Sequence, residues 1–196
     1  MHVTSVPGTP HLPLTHSQIP FHNDGMFRSE PPRYLILYCQ IPSSRGGVTL
    51  FARGDKVVAR LDQKARRILT VFSFRIQLGS LKASRRLVQK HPRDGMPVLL
   101  FGDPDISANL QISCSGKVQV SRILRVLRAS LADPQVVCYR HSWKRHDLLV
   151  FDNFKLLHAR TGYTGHRLLK RVELSASGPG HAASAVGAGG DPTLIR

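Results

Sequence analysis

The chain has 196 residues, of which 41% are hydrophobic, and this suffices for one domain with a buried core. No segment reaches the roughly 18 consecutive apolar residues of a transmembrane helix, and the N-terminal segment lacks the apolar centre of a secretory signal. The net charge of +16 would suit a nucleic-acid partner, but the Lys and Arg residues are dispersed in short runs with few aromatic residues among them.

The three cysteines, Cys39, Cys114 and Cys138, are widely spaced and form no C-x-x-C pair. An odd number of scattered cysteines argues against a disulfide framework and against a thiolate metal site, and it indicates a reducing compartment. We therefore expect a cytoplasmic enzyme or binding protein that has no membrane association. The pattern does not specify an oligomeric state.

The first half of the chain alternates strands and turns before a helix. Residues 1–19 predict a loose extension rich in Pro, Thr and His. The nearly continuous apolar run at 33–41 predicts a buried strand, and a Gly-containing turn separates it from a short strand at 48–52. Over residues 55–70 apolar residues recur at helical spacing, which predicts one amphipathic helix. Its apolar stripe consists of Val58, Leu61, Ala65 and Ile68.

The middle of the chain predicts two more strands and a second helix. The strands are expected at 71–78 and, after a turn, within 91–101. The helix is expected to begin with Ser121 as its N-cap and to end at Asp133 and Pro134. We interpret its arginines as a solvated face opposite the apolar stripe. These arginines are Arg122, Arg125 and Arg128.

The last part of the chain predicts strands within 136–160, with a tight turn at Asp152 and Asn153, and a final strand within 166–176. Residues 177–196 form a Gly/Ala-rich tail. Many short strands with few helices indicate a mainly β (α+β) protein with a jelly-roll core and flanking helices.

The segment PFHNDGMF places His22 and Asp24 one residue apart. Alternate residues of a strand share a face, so an imidazole and a carboxylate can reach one metal ion. Fe(II) in the two-histidine, one-carboxylate arrangement needs a second, distant histidine and keeps open positions for other ligands. His158 is the best candidate, because a strand, a turn and a further strand deliver it from an apolar setting.

A dicarboxylic keto acid that chelates this iron would need a cation for its far carboxylate, and the planar fork of arginine suits that role. Arg167 and Arg171 lie four residues apart after His158, so both can point to one face of the last strand. The hydroxyl of Thr49 is available to complete the carboxylate pocket.

Together, HNDG, PRYLILYCQIP with GGVTLF, and DLLVFDN with LLHARTGY and HRLLKR resemble the TauD/TfdA family of Fe(II)/2-oxoglutarate dioxygenases. The order of the motifs matches, and the separation of 27 residues between His22 and Thr49 (49 − 22) fits the family. The segments HPRDGMPVLLFGDP and CYRHSWKRHDLLVFDNFKLLHAR are most similar to the PvcB-like branch, which processes amino-acid-derived isonitriles in secondary metabolism. The resemblance covers residues 20–176.

The resemblance implies a double-stranded β-helix in which two histidines and an aspartate bind Fe(II). It also implies that 2-oxoglutarate and O2 serve as cosubstrates, and that the enzyme hydroxylates or desaturates a small molecule. By matching positions, Thr49 and Arg167 would bind 2-oxoglutarate and Arg171 would meet the substrate. The implied metal ligands are His22, Asp24 and His158.

Two alternatives accompany this hypothesis. A nucleic-acid-acting oxygenase would use the positive charge, but the R-x-N-x-T-x-R signature of the AlkB-type enzymes is absent, which favours a small-molecule substrate. A non-catalytic remnant is the other alternative, because family members carry a longer segment before the His-x-Asp motif, and we expect the β core to be incomplete at the N-terminus.

Five further residues near the motifs have simpler interpretations. Asp152 and Asn153 are expected to form the turn, and Trp143 is expected to be a partly buried anchor. Asn23 and Met26 could face the substrate, and Met26 could equally be packed in the core.

Overall fold

The computed structural model describes residues 16–115 and 118–175 and the backbone of residues 194–195. Strands dominate this part of the chain, as the sequence predicts. The helices are α1 (Gly54–Arg60), α2 (Gln63–Val71) and α3 (Val120–Ala132). The strands are β1 (Ile19–His22), β2 (Tyr34–Ile41), β3 (Arg45–Gly46), β4 (Thr49–Arg53), β5 (Phe74–Leu78), β6 (Leu81–Arg85), β7 (Val88–Lys90), β8 (Pro97–Leu99), β9 (Leu110–Cys114), β10 (Val137–His141), β11 (Leu148–Asp152), β12 (Leu156–Arg160), β13 (Tyr163–Thr164), β14 (Leu168–Leu174) and β15 (Leu194–Ile195).

Two four-stranded antiparallel sheets form the centre of the molecule, with strand orders β1-β12-β4-β10 and β14-β2-β11-β15. Residues from both sheets pack into a shared core between them. This core contains Leu35, Leu37, Cys39, Phe51, Trp143, Leu149, Phe151 and Leu156. The jelly-roll arrangement predicted from the sequence is therefore confirmed.

The outer face of the first sheet is covered by the helices and by the smaller sheets. Ala52 of β4 and Leu157 of β12 are fully buried in a second core that they share with α1, α2 and α3. Strands β6-β5-β9 and β7-β8 complete this layer. The alternation along β4 explains the arrangement, since Phe51 points to the inner core and Ala52 to the outer one.

The prediction of one helix over residues 55–70 is wrong in one respect, because the structure has two helices there. Helix α1 ends at Arg60, and Leu61 has extended backbone angles. Asp62 then acts as the N-cap of α2 and accepts a hydrogen bond from the backbone N–H of Ala65 at 2.6 Å. An Asp at an N-cap satisfies an otherwise unpaired N–H, and this favours a new helix over a continuous one. The predicted apolar residues nevertheless face the core.

The second predicted helix is present as α3, but Ser121 lies within it, and the N-cap residue is Gln119. The arginines of its polar face are exposed, as predicted, but Arg128 forms ion pairs in addition. Its guanidinium donates to both carboxylate oxygens of Asp103, at 2.7 and 2.5 Å, and lies 2.9 Å from Asp105. Arg128 therefore ties α3 to the loop before β9.

The predicted strands at 33–41, 48–52 and 71–78 and within 91–101, 136–160 and 166–176 are confirmed within one to three residues at their ends. Most of the predicted extension (1–19) and tail (177–196) lies outside the described residues; β1 begins at residue 19, and β15 pairs with β11. In the described part of the chain, no helix has the length and apolar character needed to cross a membrane.

Candidate metal centre

Strand β1 delivers His22 directly opposite His158 of the neighbouring strand β12. The prediction that His22 and Asp24 meet as alternate residues of one strand is wrong, because β1 ends at His22; a turn follows at once and brings the side chain of Asp24 back toward the same point. Gly25 has a φ of +69° in this turn, and a Cβ there would lie 2.6 Å from Cδ of Pro32. A glycine is therefore required immediately after Asp24, both by the backbone conformation and by the space available.

The three predicted metal ligands converge. The ligand atoms of His22, Asp24 and His158 all lie within 4.8 Å of one another. Nε2 of His22 is 3.4 Å from Oδ1 of Asp24, and Nε2 of His158 is 3.8 Å from the same oxygen. The ring centroids of the two histidines are 4.2 Å apart. Two imidazoles and one carboxylate therefore surround a single point from two strands and a turn.

A hydrogen bond to the backbone determines which nitrogen of His22 faces this point. Nδ1 of His22 lies 2.8 Å from the carbonyl oxygen of Pro20. A carbonyl oxygen only accepts hydrogen bonds, so Nδ1 carries the proton, and in the neutral ring Nε2 presents a lone pair. A histidine that ligates a metal ion is typically held in this way by its other ring nitrogen.

The surroundings of the site favour the deprotonated forms of the Asp24 carboxyl and the His158 ring. Burial would raise the pKa of Asp24, but the neighbouring His22 and the charge of Arg171 outweigh it and hold that pKa well below its usual range. Burial, aided by the neighbouring His22, lowers the pKa of His158 to about 3. At neutral pH a carboxylate and a neutral imidazole therefore face the centre, in the protonation states that metal binding requires.

Two buried asparagines clamp the turn that carries Asp24. The side chain of Asn153 accepts from the N–H of Asp24 at 2.9 Å and donates to the carbonyl oxygens of Asp24 and Pro32 at 3.0 and 2.8 Å. The amide nitrogen of Asn23 donates to the carbonyl oxygens of Asn153 and Leu156, at 2.6 and 3.3 Å. The side chains of Asn23 and Asn153 therefore join the turn that carries Asp24 to the turn and strand of residues 153–156.

Arg171 lies beside the metal ligands and occupies the second oxygen of Asp24. Its Nη1 is 2.7 Å from Oδ2 of Asp24, and its Nη2 is 3.0 Å from Glu173. Glu173 also accepts from Arg28 at 2.6 Å. The side chain of Arg171 remains 41% exposed, whereas that of Asp24 is 5% exposed. This row of alternating charges leads from the buried centre toward solvent.

Thr49 lies at the start of β4, opposite Arg160 of β12, while His158 lies opposite Phe51. The Thr49 position is therefore two residues along the strand from the metal centre, or about 7 Å. Thr49 is buried, and its Oγ1 accepts a hydrogen bond from Nε1 of Trp143 at 2.8 Å.

Arg167 precedes β14 and passes close to the backbone of Gly47. A Cβ on Gly47 would lie 3.2 Å from Nε of Arg167. The guanidinium groups of Arg160 and Arg167 lie 4.7 and 5.6 Å from the centroid of the Tyr163 ring. Burial, together with the charge of Arg160, lowers the pKa of Arg167 to about 10, so it is still a cation at neutral pH. Its Nε is buried and has no hydrogen-bond partner among the described residues.

Several neighbouring residues differ from their sequence-based interpretation. Asn153 does lie in the predicted turn, but its side chain also holds Asp24. Asn23 is buried in backbone hydrogen bonds rather than directed at a substrate, and Met26 belongs to the core. Trp143 is a hydrogen-bonded partner of Thr49 as well as an anchor. The only signal in the sequence for these roles is their closeness to the motifs, because each partner lies far away along the chain.

Comparison with known proteins adds three likenesses. The family model described as taurine catabolism dioxygenase TauD, TfdA family matches residues 1–172. Tyrosine isonitrile desaturase of Pseudomonas aeruginosa is 28% identical over 179 residues, which is 83% of this chain and 61% of that protein. The 3-((Z)-2-isocyanoethenyl)-1H-indole synthase of Fischerella ambigua is 29% identical over 177 residues, or 82% of this chain and 64% of that protein.

Among solved structures, PvcB, an Fe, alpha-ketoglutarate dependent oxygenase from an isonitrile synthetic pathway, has 28% sequence identity and a TM-score of 0.66. The match covers 96% of this chain and 65% of that one. The jelly-roll fold is thus shared with this oxygenase. The chain spans about three fifths of the length of the two curated relatives.

Proposed function

The chain belongs to the TauD/TfdA family, and from this premise we propose that it is an Fe(II)/2-oxoglutarate-dependent dioxygenase that hydroxylates or desaturates a small amino-acid-derived metabolite. The oxygenase domain is proposed to span residues 20–176. The observation that carries the proposal is the convergence of ligand atoms from His22, Asp24 and His158 within 4.8 Å.

The donor set fits Fe(II). Two imidazoles and one carboxylate make up the two-histidine, one-carboxylate set that leaves coordination positions on Fe(II) for further ligands. Bound iron, with 2-oxoglutarate and O2, would supply the oxidising chemistry in which the keto acid loses CO2 and becomes succinate. The protein residues would hold that centre: His22 is oriented by Pro20, and Arg171 leaves Oδ1 of Asp24 for the metal by binding Oδ2.

The cosubstrate is proposed to lie between the metal centre and Arg167. The unpartnered Nε and the retained charge of this half-buried arginine suit a carboxylate, which accepts hydrogen bonds and is neutralised by the guanidinium. Thr49 lies about 7 Å along β4 from the metal-facing position and can add a hydroxyl to the same pocket.

The substrate is proposed to be an isonitrile derived from an aromatic amino acid, and its carboxylate would meet Arg171. The printed names of the relatives, a tyrosine isonitrile desaturase and an isocyanoethenyl-indole synthase, support this class. The side chain of Arg171 is 41% exposed, so a small anion from solvent can reach it. We also propose a cytoplasmic location, because Cys39, Cys114 and Cys138 are all free thiols.

The test is succinate release from the purified chain, measured with and without Fe(II) and 2-oxoglutarate in the presence of tyrosine isonitrile. We expect release that depends on both additions and is lost in His158→Ala. His146→Asn is the matched control, because it removes an exposed imidazole at a position with φ +74°, which asparagine tolerates. Succinate release that persists in His158→Ala, or that does not require iron, would show that the metal assignment is wrong.

A further inference from the structure

The indole of Trp143 makes a buried contact with the residue proposed to bind the cosubstrate. Its Nε1 lies 2.8 Å from Oγ1 of Thr49, and both side chains are buried between the two sheets. The two residues are 94 positions apart in the chain (143 − 49) and come from β4 and from the loop between β10 and β11. Trp143 is also the only tryptophan in the chain.

The direction of this hydrogen bond is determined by chemistry. An indole N–H can only donate, so the hydroxyl oxygen of Thr49 must accept. The hydroxyl proton of Thr49 then remains available to donate, and a carboxylate is a pure acceptor. A threonine without such a partner can turn its hydroxyl to nearby backbone groups instead. Trp143 therefore sets Thr49 in the orientation in which it can donate to an anion.

The loop that carries Trp143 is itself held firmly. Its Asp147 accepts from the backbone N–H of Lys144 at 2.8 Å, and the same oxygen lies 3.0 Å from Nε2 of His141. The His141 ring packs edge-on against the indole with centroids 4.4 Å apart. Backbone hydrogen bonds between this loop and Cys39 of β2 join it to the second sheet. The indole position is therefore determined before any ligand binds.

We propose that Trp143 is a positioning residue for 2-oxoglutarate: it orients the Thr49 hydroxyl toward the far carboxylate, and its fluorescence reports when that end of the site is filled. The inference rests on the proposed function, since it concerns the same cosubstrate. In this proposal Trp143 acts through Thr49 and does not itself touch the reacting atoms.

The experiment is a double-mutant cycle on binding of 2-oxoglutarate to the Mn(II)-loaded chain, measured by calorimetry without O2. Trp143→Phe retains an aromatic ring but removes the N–H donor, and we expect the dissociation constant to rise about tenfold. Thr49→Val removes the hydroxyl. In the Thr49→Val background, Trp143→Phe should raise the dissociation constant less than about twofold further, because the hydrogen bond that it removes is already absent. Mn(II) affinity should stay the same in all variants.

The control is Tyr38→Phe, which removes a hydrogen bond to His146 on the exposed side of the same loop and should leave 2-oxoglutarate binding unchanged. A second measurement does not depend on the folding of the Phe variant: the tryptophan fluorescence of the unmodified chain should change when 2-oxoglutarate is added, and the change should be smaller in Thr49→Val.

The outcomes separate the two proposals. Equal losses from Trp143→Phe with and without the Thr49 hydroxyl would overturn the inference and leave the oxygenase proposal standing. Fluorescence that does not respond while calorimetry shows binding would do the same. If the Mn(II)-loaded unmodified chain does not bind 2-oxoglutarate at all, both proposals fail.

Discussion

The two ends of the proposed site are built differently. At the metal end, the turn carrying Asp24 is held by hydrogen bonds from its backbone to Asn153, and Asn23 ties the same turn to the backbone beyond it. At the cosubstrate end, the contacts are made by side chains. The hydroxyl of Thr49 is bonded to the indole of Trp143, and the side chain of Arg167 packs against the backbone of Gly47.

The difference shows which end the fold holds more tightly. Backbone groups that are paired through buried amides cannot shift without leaving polar atoms unsatisfied, which costs about 1–3 kcal/mol for each group. A side chain such as Arg167 can rotate at a smaller cost. We therefore expect substitutions at the metal end to have larger effects, and the following variants test that order from the largest effect to the smallest.

Asp24→Asn should lower Mn(II) affinity more than about 100-fold, because it removes the one carboxylate among the three proposed ligands and also the charge partner of Arg171. Equilibrium dialysis of metal against the purified chain measures this. Asp105→Asn is the control, since its side chain is 72% exposed and contacts Arg128 away from the site. Equal metal affinity in Asp24→Asn and Asp105→Asn would remove the basis for the metal centre.

Asn153→Ala should weaken metal binding about 10- to 100-fold although Asn153 is no ligand, as is typical when a group that orients a ligand is lost. Its removal leaves the N–H of Asp24 and the carbonyl oxygen of Pro32 unpaired, so the free energy of unfolding should also fall by about 2 kcal/mol or more. Metal titration and urea denaturation measure the two effects. Asn109→Ala, at an exposed asparagine, should change neither.

Gly47→Ala should act on the cosubstrate end alone. A Cβ there would lie 2.6 Å from Oγ of Ser43 and 3.2 Å from Nε of Arg167, so the guanidinium must move. We expect the dissociation constant of 2-oxoglutarate to rise about threefold to tenfold, which is about 0.7–1.4 kcal/mol, and metal affinity to stay unchanged.

Gly95→Ala is the matched control for that variant. Gly95 has a similar φ of +71°, but a Cβ there meets no atom within 4 Å. It therefore carries the same backbone strain, about 1–2 kcal/mol, without the contact to Arg167. If both variants weakened 2-oxoglutarate binding equally, the close packing of Arg167 against Gly47 would have no role in binding the cosubstrate.

Glu173→Gln should have the smallest effect, because its ion pairs with Arg28 and Arg171 lie outside both ends and are partly exposed. A pair of this kind contributes about 0–1 kcal/mol. Thermal unfolding should therefore shift by a few degrees at most, with metal and 2-oxoglutarate affinity unchanged. Glu30→Gln, at an exposed glutamate, is the comparison. A loss of metal binding in Glu173→Gln would mean that the charge row is part of the metal end.

Much of the fold could be predicted from the sequence, because its strands are short apolar runs bounded by turn residues. The predictions failed where a local alternative competed with periodicity. The apolar stripe over 55–70 continues through Leu61, but the Asp62 N-cap starts a new helix there. Strands β6, β7 and β9 were not predicted, because their exposed positions are polar and their pairing with β5 and β8 is a tertiary contact.

The candidate site likewise combines residues that the sequence predicts with contacts that it does not. The spacing of His22 and Asp24 and the apolar approach to His158 predicted which side chains would meet. Nothing local could predict that Asn153 would bind the backbone of Asp24, since the two are 129 positions apart. Arg171 was predicted as a substrate residue; that role stays a prediction, and the structure adds its ion pair with Asp24.

The amino-acid sequence by itself determined the residue types, the strand alternation and the order of motifs, because side-chain chemistry and period-two burial are local properties. Only the tertiary structure decided which nitrogen of His22 faces the centre and which asparagine clamps Asp24. It also decided that the Thr49 hydroxyl accepts from Trp143. The contacts of Asn153 with Asp24 and of Trp143 with Thr49 join residues distant in the chain, and buried polar groups select their partners only when the sheets have packed.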